Sequence, residues 1–301
     1  LTDPQKGVAA IIAACSVWGL ATLYYHALAH VPPLEMMAHR TVWTALSFSA
    51  LLAAQGKLGE LGVLWRGAER GRVMASAALI GVNWFLFIWA VTSGHAVEAS
   101  LGYYIFPLIS AVIGFLVFRE RPVAAQIWAV VLAAGAVLVL TWGLGVAPWI
   151  ALTLASSFAA YAAVKKGMAT GAVVSVTMEV LLLSPLALVV LIAAAVQGEG
   201  WFLRDGLHTW VLPLSGVISG GPLILFSYGA RRVRLVTSGL VQYLNPSLQF
   251  LSAVFVIGEG VTLWHGVALA MIWAALALYS AAAWREDRAA PKAATSGSTV
   301  N

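Results

Sequence analysis

Apolar stretches of about 20 residues, the length a helix needs to cross a hydrocarbon core of ~30 Å, recur ten times along this chain. The spans read as 7–29, 34–54, 73–93, 97–118, 123–142, 147–165, 172–196, 208–230, 236–257 and 262–284. Lipid offers backbone N–H and C=O groups no partner, so each span has to be a helix, and the alternation of barrel strands is absent. The expected fold class is therefore all-α, a polytopic membrane protein of ten transmembrane helices. Charged residues make up 10% of the chain, against about 25% in soluble domains, which leaves little room for a soluble domain. The stretch from Leu1 to Lys6 runs directly into the first span without a small-residue cleavage site, so that helix is expected to be its own insertion signal.

Positive charge sorts by side. Of the seventeen Lys and Arg residues, fifteen fall at the N-terminus, in the loops after spans 2, 4, 6 and 8, or in the tail. The opposite loops hold only Arg204, and Arg40 lies within span 2. By the positive-inside rule both termini are cytoplasmic. Trp142, Trp149, Trp201, Trp210 and Trp264 fall in or beside the proposed outer loops, where amphipathic rings favour the interface. Residues 285–301, rich in Ala, Ser and Gly, read as a disordered cytoplasmic tail. Cys15, the single cysteine, precludes an intramolecular disulfide or a paired-thiolate metal site.

An offset of 139 positions aligns Glu98–Pro122 with Thr237–Val261, pairing Leu101 with Leu240, Tyr104 with Tyr243, Pro107 with Pro246, Val117 with Val256 and Glu120 with Glu259. Each segment is the fourth span of its half and carries proline at the same depth. The domains expected are a first five-helix repeat over 1–144 and a second over 145–284. An odd number of spans per repeat makes the second enter the membrane in the opposite sense, the inverted design of secondary transporters.

At these residues the chain resembles the drug/metabolite transporter superfamily, its EamA-type members and most closely their RarD-like branch. The resemblance rests on Val17-Trp18-Gly19, Pro33-Leu34-Glu35 through His39-Arg40, Gly229-Ala230-Arg231-Arg232, Gly239-Leu240-Val241-Gln242-Tyr243-Leu244-Asn245-Pro246, Gly258-Glu259 and Ile272-Trp273-Ala274-Ala275-Leu276. It implies ten helices, a bacterial inner-membrane location and export of small organic molecules. Amino acids are a substrate class of relatives such as the aromatic amino-acid exporter YddG. Arg121 and Pro122 replace the small turn that commonly follows the span-4 glutamate in such repeats.

Ser238, Gln242, Asn245, Gln249 and Ser252 follow spacings of 4, 3, 4 and 3, placing five polar side chains along one face of span 9. Such a face either bonds to neighbouring helices, for ~0.6 kcal/mol per pair, or lines a wet cavity. The repeat carries it onto Tyr103, Phe106 and Ser110 of span 4. Pro107 and Pro246 lack a backbone N–H and are expected to kink their helices, freeing carbonyls at mid-membrane. Trp18, Asn83, Trp84, Trp89, Phe158, Tyr161 and Tyr228 are candidates to complete a pocket for a ligand with an apolar body and a zwitterionic head; each ring taken alone reads first as a packing residue.

Two ionisable residues lie well within spans, where they cost roughly 2.5–3.5 kcal/mol each on insertion scales. They are Arg40 and Glu179, related by the same offset. Arg40 either snorkels to Glu35 or Glu98, or anchors a substrate carboxylate. Glu179 either snorkels to Lys165 or Lys166, or serves as a cytoplasmic gate partner or proton site. His95 and Glu98, at the connection between spans 3 and 4, are candidates for a proton-linked role. No HExxH pair, paired intramembrane aspartates or GxSxG nucleophile site is present, so neither enzyme chemistry, a cofactor nor a metal is expected. The expected partners are a small-molecule substrate and the bilayer, and not nucleic acid.

Overall fold

The computed structural model describes residues 2–119, 122–233 and 235–296. It is helical, with no strand among the described residues: α1 (Asp3–Ala27), α2 (Pro33–Ala54), α3 (Leu58–Arg66), α4 (Arg70–Thr92), α5 (Ala96–Val117), α6 (Ala124–Leu144), α7 (Trp149–Lys166), α8 (Ala172–Gln197), α9 (Gly206–Ala230), α10 (Leu235–Gln242), α11 (Leu244–Leu251), a π-helical turn Ser252–Ile257, and α12 (Leu263–Ser296).

Among the described residues, eight segments are long and apolar enough to cross a membrane: α1, α4, α5, α6, α8, α9, residues 237–257 and the first part of α12. The remaining two expected spans, α2 and α7, fall outside that set for compositional reasons. Glu35, His39 and Arg40 dilute the first, and α7 is only 18 residues long and ends on Lys165 and Lys166. Both are shielded by neighbours, with α2 lying against α8 and α9, and α7 against α5 and α4.

Local sequence explains the ends. Gln5 Oε1 accepts the Thr2 N–H at the start of α1 (2.9 Å), and Gln126 Oε1 accepts the Val123 N–H at the start of α6 (3.1 Å), each filling an otherwise orphaned donor. The expected ninth span departs most from a single helix. It breaks at Tyr243, because Pro246 lacks the N–H that would bond Gln242 and its ring crowds that carbonyl. It then widens into a π-turn that closes on Gly258. Pro107, which the 139-residue offset aligns with Pro246, sits inside an unbroken α5.

Helix α3 was not among the expected spans; it is a short surface helix that buries only Leu64. Helix α12 also departs from expectation, continuing to Ser296 where a disordered tail is read from sequence; the Ala-rich stretch suits a helix. Residues 297–301, and the expectations placed on Glu120, Arg121 and Arg234, lie outside the described residues.

Small residues bring the helices close. α1 packs on α9 and on α10–α11, α2 on α8, and α6 on α12. A Cβ at Gly229 would lie 2.5 Å from the Gly7 carbonyl oxygen, and one at Gly102 2.8 Å from that of Ala151. Large apolar side chains point outward instead, among them Trp128, Leu138, Trp142, Val196 and Phe255, forming a surface suited to lipid.

Orientation can be tested by labelling in a Cys15→Ser background. Gly62 and Gly260 have open space around a new side chain. With Lys57, Arg66, Arg70 and Arg72 inside, Gly260→Cys should react with an impermeant maleimide in intact cells, and Gly62→Cys only after lysis. Labelling of position 62 from outside would reverse the assignment.

Candidate functional site

Two adjoining cavities open between the helices. The first, about 200 Å³, is lined by α1, α2, α4, α5 and α7–α11, through residues that include Trp18, Tyr25, Arg40, Thr44, Asn83 and Trp84. Tyr103, Phe158, Gln242 and Asn245 line it too, and they also border the second, about 360 Å³, whose walls are Phe106, Pro107 and Ser110 of α5 facing Gly239, Tyr243 and Pro246. The expected span-4 and span-9 faces thus meet across one space. Tyr161 and Gln249 belong to the first cavity.

The walls combine rings with a few polar groups. Phe158 contacts Phe106 and stacks on Tyr161, with centroids 4.8 and 5.8 Å apart. Asn83 is fully buried and fully used: Nδ2 donates to the Leu154 carbonyl (2.9 Å) and Ser157 Oγ (3.0 Å), while Oδ1 accepts the Tyr103 hydroxyl (3.1 Å). It holds α4, α5 and α7 together at the cavity wall. Gln249 Nε2 donates to Asn245 Oδ1 (3.0 Å), which leaves Gln249 Oε1 buried and unpartnered.

Arg40 is 7% exposed and faces the first cavity. Its Cζ stands 4.0 Å from the Trp84 ring centroid and 6.0 Å from that of Tyr25. Neither Glu35 nor Glu98 reaches it, so the snorkelled arrangement is absent. Glu35 accepts the Trp201 N–H (2.7 Å) and faces His39, and Glu98 accepts the N–H of Ile150 at the start of α7 (3.0 Å). Arg40 Nε has no partner.

Glu179 is 1% exposed and lies behind the Tyr161 wall. Its carboxylate accepts from Lys165 Nζ (2.7 Å), Ser76 Oγ (2.8 Å) and Tyr161 Oη (3.2 Å), and Lys165 also donates to Ser175 Oγ. The lysine comes inward to the acid; the acid does not reach out to the surface.

Several expected residues lie elsewhere. Trp89 stacks on His95 (5.6 Å) and touches Trp149 at the rim, because its place in the last turn of α4 carries it past the cavity. Tyr228 lies under Arg232 (3.6 Å) at the end of α9, and Ser238 is buried against its own surroundings without lining either cavity. His95 and Glu98 also line neither, and the Glu98 carboxylate is committed to the start of α7. Thr44 and Ser219 were not singled out from sequence. Thr44 was signalled by its position one helical turn after Arg40.

Carboxylates clasp the two ends of the bundle. On the face opposite the Lys- and Arg-rich loops, Glu259 accepts the N–H groups of Ala96 and Val97 (both 2.7 Å). Asp205 accepts from the backbone and ring of His208, whose other ring nitrogen lies 2.7 Å from that of His30; these bonds hold the Asp205 carboxyl below the usual carboxylate range. On the basic face, Glu69 is lowered in the same way, first by the Thr170 hydroxyl and then by the Ala169 N–H.

The sequence model of the EamA-like transporter family matches residues 5–142. An uncharacterized transporter of Pseudomonas aeruginosa is 38% identical over 291 residues, covering 96% of this chain and 97% of the relative. Protein RarD of Escherichia coli is 38% identical over 277 residues, covering 91% and 94%. A solved crystal structure superposes with a TM-score of 0.59 at 18% identity, covering 91% of this chain and 97% of the other, which establishes likeness of fold.

Proposed function

This chain belongs to the EamA-like transporter family, and from that premise we propose that it is a secondary transporter of a bacterial inner membrane, exporting small organic metabolites, amino acids foremost, by alternating access. The observation that carries the reading is the shared cavity, with α5 on one side, α10–α11 on the other, and walls that join aromatic rings to amides. Pockets of that composition hold a ligand by its apolar body and orient it by few polar contacts. The inverted-repeat reading is supported by the helix pairings. α7 lies on α4 as α1 lies on α9, α5 on α7 as α10–α11 on α1, and α2–α8 and α6–α12 map onto themselves. Export of other drug-like metabolites, or facilitated passage through a channel-like carrier, is the alternative, and intramembrane catalysis the least supported.

The direct test is counterflow of a panel of amino acids into liposomes holding purified protein, with and without a pH gradient. Substrate-dependent exchange is expected, and a pH gradient that changes its rate would indicate proton coupling. Gln242→Leu, Asn245→Leu and Gln249→Leu should insert and fold while exchange falls at least about tenfold. Normal exchange in all three would make the polar stripe a fastening between helices.

A further inference from the structure

The ligand class inferred below rests on the reading of the cavity as a transport site, and the cavity's charge and unpartnered atoms indicate which groups of a ligand it grips. Among the described residues no Asp or Glu lines either cavity, and the single cation that does is Arg40. Its guanidinium has no carboxylate within 4.0 Å among the described residues, and its Nε is buried without a hydrogen bond. A buried charge is normally paired, since desolvating it alone is costly. The Trp84 ring lies 4.0 Å from the guanidinium carbon but takes up none of its conventional hydrogen bonds, which leaves the planar fork for an anion. Three further atoms on the same walls are buried and unpartnered: Tyr25 Oη of α1, Thr44 Oγ1, one turn along α2 from Arg40, and Gln249 Oε1 of α11.

We infer that the cavity takes a small organic monocarboxylate with a flat apolar body and an α-amino or α-hydroxyl donor, with Arg40 holding the carboxylate and Gln249 Oε1 receiving the donor. A guanidinium offers a carboxylate two parallel charge-assisted bonds. The rings of Trp18, Trp84, Tyr103 and Phe158 supply the apolar walls. An organic cation is disfavoured, because it would face Arg40 with no acid to hold it. A phosphate dianion is disfavoured too, because one guanidinium leaves half its charge uncompensated in an apolar chamber.

The test measures binding to the purified full-length chain of L-phenylalanine, L-phenylalaninamide, 3-phenylpropionate, phenethylamine and phenyl phosphate. Wild type should prefer the two carboxylates to the amide and the amine, and L-phenylalanine to 3-phenylpropionate. Arg40→Gln should weaken both carboxylates by roughly 10- to 100-fold while leaving the amide nearly unchanged. Arg40→Lys should restore part of that preference. Gln249→Leu should erase the advantage of L-phenylalanine over 3-phenylpropionate, and Glu179→Gln should leave every ratio alone. Because each ratio is taken within one variant, loss of folded protein does not imitate the result. An Arg40→Gln protein that loses all ligands equally makes the guanidinium a structural partner of Trp84 and overturns the inference. Tighter binding of phenyl phosphate or phenethylamine also overturns it. If no carboxylate binds wild type while counterflow of another compound proceeds, the substrate class falls and the transporter stands. If carboxylates bind as described but nothing exchanges in liposomes, the transporter reading falls instead.

Discussion

Lys165→Met is expected to destabilise the protein by about 3–5 kcal/mol, because it removes the ammonium paired with a buried carboxylate. Glu179 cannot turn to solvent: it is enclosed by Ser76 of α4, Tyr161 of α7 and its own helix α8. Two hydroxyls would then carry alone what an ammonium at 2.7 Å now shares. The double variant Lys165→Met, Glu179→Gln should recover most of the loss, since an uncharged amide can keep the Ser76 and Tyr161 contacts. Unfolding in detergent, read as a double-mutant cycle, measures both effects. Additive losses, or a single variant within about 1 kcal/mol of wild type, would mean that water already screens the pair.

Gly216→Val should be strongly damaging. A Cβ there would lie 2.6 Å from the Trp43 carbonyl carbon and 2.9 Å from the Thr44 nitrogen, so it is opposed by backbone and not by a side chain that could swing away. Overpacking of this kind costs typically about 1–3 kcal/mol, and valine adds two more methyls to the clash. Separating α9 from α2 would also shift Thr44 and, one turn away, Arg40, so transport should fall more than stability alone explains. Gly221→Ala, in the same helix with open space around it, is the control. It should be neutral or gain up to about 1 kcal/mol from helix propensity. Equal thermal midpoints for the two variants would refute a tight α2–α9 seam.

How far the sequence reached follows from what each signal measures. Hydropathy found every long helix, because burial in lipid makes apolar length the dominant variable. Helical periodicity grouped Tyr103, Phe106 and Ser110 of α5 and Gln242 and Asn245 of α10–α11, which border the cavities, since it fixes which side chains share a face, but it also included Ser238, which lines neither. It could not tell a ring at cavity depth from one at the rim, which is why Trp84 and Trp89, both on α4, part ways. Nor could it show that Asn83 spends both ends of its amide on α5 and α7, or that Glu98 caps α7, because those partners are far apart in the chain. Arg40 and Glu179 illustrate the limit best. The 139-residue offset pairs their positions, yet one is left without an acid and the other is enclosed by three donors, an asymmetry that arises from side-chain contacts no offset encodes.

The lone guanidinium in the cavity has an electrical consequence. A charge moved through a membrane potential changes energy by about 2.3 kcal/mol per 100 mV. A carrier whose binding chamber holds one fixed positive charge is neutral there when it is filled by a monoanion and positive when it is empty. In a cell with a negative interior, the field would leave the loaded outward step untouched and pull the empty, positive form back toward the cytoplasm. Export of a monoanion would then draw on voltage through the return of the empty protein, whereas a zwitterion, adding no net charge, would leave both steps equally charged and the cycle electrically silent.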